Sequence, residues 1–149
     1  MVGLVLILIF LLGYLRELVF LSINAVINKY PFPYTRAYIK PSPFLYNLSS
    51  ETLFYLKWIL TLCFSVFFCG ATLALIHFYY NSKAFNKLTI ATYVVLFMIS
   101  LITWFLGSLF NQVSFFYTAS RFIAGLIQYP LLSLVIFSLL YFIKIRNNE

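Results

Sequence analysis

Aspartate is absent from this 149-residue chain. The acids are Glu17, Glu51 and Glu149, and the single histidine is His77. Paired carboxylates for acid–base work have almost nothing to be built from. One histidine also excludes a His-based metal site, an H-E-x-x-H helix and a Ser-His-Asp set. Glycine is scarce as well, with five residues and no phosphate-cradling loop. These gaps predict a chain that is not an enzyme and that carries no cofactor or metal. The two cysteines, Cys63 and Cys69, lie six apart in one apolar run. On a helix they point about 120° apart and cannot bridge each other. They read as small apolar fillers and say nothing of the redox compartment.

Charge is the other shortage. Only 9% of residues are charged, against roughly 25% in soluble domains. What fills the chain is apolar: 64% hydrophobic, 21% aromatic, with a mean hydropathy of +1.00. A globular reading leaves too little polar surface to cover the core. The composition predicts one membrane domain covering 1–149, with the lipid bilayer as its solvent. Ten Lys and Arg against three acids give a formal charge of +7. The basic residues stand mostly at the ends of apolar runs, where they act as topology signals and headgroup contacts. No basic cluster or recognised module points to nucleic acid.

Four runs are long enough to cross a bilayer: approximately 2–27, 52–80, 88–110 and 118–143. The first holds the adjacent charges Arg16 and Glu17. At 1.5 Å per residue it reaches ~39 Å, enough for a hydrocarbon core of ~30 Å with tilt. Two amphipathic halves, one re-entrant, is the alternative reading. No Lys or Arg precedes this run and no small-residue cleavage site follows, so it reads as a retained span rather than a signal peptide.

The segment from Lys29 to Ser50 contains four of the five prolines, Pro31, Pro33, Pro41 and Pro43, with Tyr30, Tyr34, Tyr38 and Tyr46. It is expected to be extended, stiff and laid along the membrane interface. Ser49-Ser50-Glu51 reads as a helix start, a hydroxyl cap followed by an acid in the first turn. The second span carries Lys57 near its start and His77, an interfacial residue, near its end. Asn81 to Lys87 is a short basic turn, the third span has no charge, and Asn111 to Tyr117 is an uncharged connection. The fourth span holds Arg121 and Pro130, and Lys144 and Arg146 close it. The predicted fold is all-α: a four-helix transmembrane bundle with a Pro/Tyr-rich interfacial loop between the first two spans. The short basic second connection favours termini on the cytoplasmic side.

Helical spacing gives each span one small and polar stripe. Gly13, Glu17, Asn24 and Asn28 share a face of the first span. Lys57, Thr61 and Thr72 share one on the second, and Thr89, Ser100, Thr103, Gly107 and Asn111 on the third. Ser114, Arg121, Gly125 and Gln128 align on the fourth. Packing between helices accounts for the uncharged members. The charged ones cost about 2.5–3.5 kcal/mol each in hydrocarbon and need partners. Arg16 cannot neutralise Glu17, because adjacent helical residues diverge. Glu17, Arg121 and Lys57 are expected to cluster in the half of the bundle next to the first loop. Arg16 has no assigned partner within the chain and is expected to face a separate partner, a water-filled pocket or another protein, which makes it the best reason to expect another protein alongside.

The segment Phe115-Phe116-Tyr117-Thr118-Ala119-Ser120-Arg121-Phe122-Ile123, followed by Gln128-Tyr129-Pro130-Leu131-Leu132, resembles the closing span of small four-span membrane proteins associated with bacterial exosortase systems. That helix opens with an aromatic–Tyr pair, then Arg-Phe-Leu/Ile, Gln-Pro and an apolar run. A charged dipeptide in the first span matches Arg16-Glu17. The chain departs from the pattern in its single Arg121, in Ala124 to Ile127 before Gln128, and in Tyr129 before Pro130. The resemblance rests mainly on the last span. It implies a non-catalytic accessory or assembly subunit in the bacterial cytoplasmic membrane, beside a larger integral membrane protein that sorts exported proteins. It carries over no catalytic residue. The alternative is a small transporter or channel, working as a homo-oligomer, that uses Glu17 in span 1.

Overall fold

A computed structural model describes residues 1–29, 40–110 and 113–146. Every regular element in it is helical: α1 Val2–Ile27, α2 Pro43–Tyr46, α3 Ser50–Tyr80, α4 Lys83–Leu109, α5 Val113–Ile127 and α6 Pro130–Arg146. Helices α1, α3 and α4 are each long and apolar enough to cross a membrane. Helices α5 and α6 pass the same test only together, and they meet at a 62° bend.

Helix α1 runs unbroken through Arg16 and Glu17. Both residues are good helix formers, and no proline interrupts the run. The two-halves alternative is therefore not what forms. The opposite happens at Pro130. Proline lacks an N–H and its ring displaces the carbonyl four residues back, so the predicted fourth span divides into α5 and α6. The break satisfies part of its own backbone. Gln128 N donates to Gly125 O at 2.9 Å, and Tyr129 N to Leu126 O at 3.3 Å.

The cap at Ser49 forms as expected, with its hydroxyl accepting from Thr52 N at 3.2 Å and Glu51 in the first turn. Asn81 ends α3 in the left-handed region, φ 48°, its N–H bonded to His77 O. The turn that follows is shorter than expected, since α4 already begins at Lys83. Likewise α5 begins at Val113, inside the predicted connection. Much of the proline-rich loop, 30–39, lies outside the described residues. Its remainder is not wholly extended. Pro43 opens the one-turn helix α2, because a proline in the first helical position gives up an N–H that has no intrahelical partner there.

Helices α1 and α3 are antiparallel, with Asn24 beside Lys57 and Gly13 near Phe68. Trp58 meets Trp104 edge-on, and Thr72 meets Tyr93, so α3 and α4 are antiparallel too. The broken pair α5–α6 follows α3 in the same direction: Gln128 touches Thr61 and Ser65, Ser133 touches Thr72, and Tyr80 reaches Phe137. The core lies among Ile9, Phe68, Leu75, Ile76, Tyr93, Ile127 and Leu140. Outward faces are lined by exposed Leu, Ile, Val and Phe, as lipid-facing helices require.

Two glycines allow close approach. A methyl group on Gly13 would lie 2.7 Å from Pro130 Cγ, and one on Gly107 would lie 2.6 Å from Phe116 Cβ. Inside the core, Thr72 Oγ1 lies 2.8 Å from Tyr93 Oη and 2.7 Å from Ser133 Oγ, tying α3, α4 and α6 together. The Ser100 and Ser120 hydroxyls join α4 to α5 by donating to each other's carbonyls.

Candidate functional site

The polar stripes do not all face one interior. In the half of the bundle next to the first loop, a cavity of about 300 Å³ opens between α1, α3, α4 and α5. Arg16, Glu17, Lys57 and Arg121 all line it, with Asn24, Ser100, Ser120 and Gln128. Glu17, Lys57 and Arg121, expected to cluster in this half, thus line one cavity. The aromatic walls are Phe20, Phe54, Trp58, Tyr117 and Tyr129.

Arg16, to which the sequence assigns no partner, has partners inside the chain. Its Nε donates to Gln128 Oε1 at 3.2 Å, and its guanidinium carbon lies 4.9 Å from the Phe20 ring centre and 4.7 Å from that of Tyr129. A methyl group on Gly125 would be 3.9 Å from Arg16 Nη2, so the guanidinium sits against the last turn of α5. That turn exposes carbonyls and the negative end of the helix dipole. The break explains the partnership. With α5 stopped at Ile127, the Gln128 amide reaches between helices, where its Nε2 donates to Thr61 O at 3.0 Å and lies 3.3 Å from Ser65 Oγ. Gln128 is 1% exposed, and its oxygen is committed to Arg16.

Lys57 Nζ donates to Asn24 Oδ1 at 2.7 Å and lies 5.8 Å from the Phe54 ring centre. Asn28 is exposed and turns back onto its own helix, its Nδ2 donating to Asn24 O at 2.9 Å. It is thus no part of the cavity. Asn111 lies outside the described residues.

Glu17 and Arg121 share the cavity but do not pair. Among the described residues no ion pair within 4.0 Å joins them, and both side chains are exposed. Helical spacing gives the face of a residue but not the gap across a cavity. With Arg16 turned to the end of α5, its neighbour Glu17 points about 100° away round α1, toward the mouth. The Gly13–Glu17–Asn24–Asn28 stripe therefore divides into a closely packed glycine, a carboxylate at the mouth, a cavity amide and an exposed amide.

Sequence reasoning missed Tyr93 and Ser133, which complete the core hydroxyl group, and Ser120 opposite Ser100. Among the described residues no three His, Cys, Asp or Glu converge. No family model, curated protein or solved structure matches the chain.

Proposed function

We propose that the chain is a non-catalytic accessory subunit of a larger bacterial membrane complex, and that its charged cavity receives an anionic group from another molecule. In this reading α1, α3, α4 and the bent pair α5–α6 form a four-span bundle in the cytoplasmic membrane, with cytoplasmic termini. The observation that carries it is the imbalance of the cavity. Three cations, Arg16, Lys57 and Arg121, face one carboxylate, Glu17. Charges at membrane depth need compensation, and among the described residues the direct partners of Arg16 and Lys57 are neutral amides and ring faces. The exosortase-like closing span makes a protein-sorting assembly the first partner to test.

The same imbalance argues against a small exporter that binds cations through Glu17, because Arg16 is its chain neighbour and Arg121 and Lys57 share its cavity. The test is affinity purification from native membranes in mild detergent. A larger integral membrane protein is expected to co-purify with the wild type and to be lost with Arg121→Glu. A homo-oligomer alone, with proton-linked flux abolished by Glu17→Gln, overturns the reading.

A further inference from the structure

We infer that the anionic group is the phosphate of a membrane amphiphile, its headgroup held by Lys57 and Arg121 and its chains left in the bilayer. This rests on the anion-receiving reading above and adds the ligand class.

The first ground is the supply of donors. Lys57 spends one donor on Asn24 and Arg16 spends Nε on Gln128. The Arg121 guanidinium makes no hydrogen bond among the described residues. The Thr61 and Ser65 hydroxyls are committed to carbonyls of their own helix, and those of Ser100 and Ser120 to each other's carbonyls. Beside the neutral donors of Asn24, Trp58, Tyr117 and Tyr129, what remains is ammonium and guanidinium N–H, directional and positive. Such a set suits an anion with several oxygens, and guanidinium pairs with phosphate through two parallel bonds.

The second ground is depth. Helix α3 has 31 residues, so it is ~46 Å long against a hydrocarbon core of ~30 Å. Shared between the two ends, the excess leaves ~8 Å outside the core at each, and Lys57 lies ~10 Å from the start of the helix. The ammonium is therefore near the boundary between headgroups and acyl chains. Arg121 lies ~12 Å into α5 by the same measure. A lipid phosphate reaches this level without leaving its leaflet, with the two long side chains extending toward it.

The third ground is the shape. A volume of about 300 Å³ falls at the small end of ligand sites. It fits a headgroup and excludes a whole lipid. The rim is apolar and exposed, with Phe54 46%, Trp58 47% and Tyr129 40% accessible. It is continuous with the outer faces of α1 and α3, so attached chains continue into lipid. A soluble anion would gain nothing from such a rim.

The test uses the full chain in nanodiscs of phosphatidylcholine with a minor fraction of phosphatidylglycerol, and native mass spectrometry of the lipids retained. Phosphatidylglycerol is expected to be held in preference to phosphatidylcholine. Arg121→Gln and Lys57→Gln should each reduce that preference about tenfold, and Arg121→Lys, which returns the charge without the two parallel bonds, should restore part of it, which separates ligand binding from folding. Lys83→Gln with Lys87→Gln, at the start of α4 and the opposite end of the bundle, should leave it unchanged. Dodecyl phosphate should displace the lipid where inorganic phosphate at equal concentration does not.

Equal retention of the two lipids overturns the inference, as does an equal loss from the Lys83 and Lys87 changes. Competition by inorganic phosphate as strong as by dodecyl phosphate removes the amphiphile. Displacement by dodecanoate but not by dodecyl phosphate leaves the anion-receiving cavity standing and rejects phosphate. No displacement by either, with the larger protein still bound to Arg121→Glu, removes both readings.

Discussion

The two halves of the bundle handle buried polarity in opposite ways. Away from the first loop, Thr72, Tyr93 and Ser133 form a closed set in which each hydroxyl has a partner and no charge is present. Toward the first loop, four charged side chains surround open space, and among the described residues only two of them, Arg16 and Lys57, have a hydrogen-bonded partner. A closed set of short side chains fixes helix positions. An open set of long charged ones leaves interaction energy to be realised with something else. The difference marks one half as scaffold and the other as the place where function is to be sought.

Substitutions in the scaffold half and at the join should therefore cost stability, and those in the open half should not. The largest effect is expected at Gly13, where Gly13→Ala places a methyl group 2.7 Å from Pro130 Cγ. Overpacking of this kind costs about 1–3 kcal/mol, readable as a lower thermal midpoint in detergent. Gly70→Ala is the control, since nothing lies within 4 Å of the added atom, and it should be neutral or slightly stabilising.

Next comes Thr72→Val, which removes the shared hydroxyl and leaves Ser133 without this partner. Hydrogen bonds between membrane helices average about 0.6 kcal/mol, so the two broken contacts predict about 1 kcal/mol, again by unfolding in detergent. A smaller coupling belongs to the join. A double-mutant cycle of Arg16→Leu and Gln128→Leu should show about 0.6 kcal/mol of interaction. Additive effects would mean that the ring contacts with Phe20 and Tyr129, rather than the amide, hold Arg16.

The smallest expected change separates the two halves most sharply. Arg121→Gln should leave the midpoint within about 0.5 kcal/mol of wild type, as for an exposed residue, while retention of anionic lipid falls. A large loss of stability there would make the open half part of the scaffold.

Much of this division is visible in the sequence. Apolar runs give the long helices because a single segment satisfies its own backbone groups in lipid only as a helix, and Pro130 marks the break in the fourth. Lys57, Arg121 and Glu17 fall in the same half because antiparallel helices fix depth by counting residues. What counting does not give is rotation of one helix against the next. Arg16 rather than Glu17 turns to the end of α5, and that choice follows from where Pro130 meets Gly13, a contact between residues far apart in the chain. The Gln128 amide reached its place through the bend, beyond the point where a straight-helix projection holds.

The contact of Arg16 with Gln128 spans 112 residues of sequence. On the ribosome, α1 is made and leaves well before α5 exists. Through that interval its guanidinium lacks the end of α5 and its glycine lacks Pro130. Hence α1 enters the membrane as an unfinished surface that only the last helices can complete. Chains stopped before residue 128 should expose an arginine in the bilayer, a mark by which membrane quality control can tell an incomplete copy from a finished one.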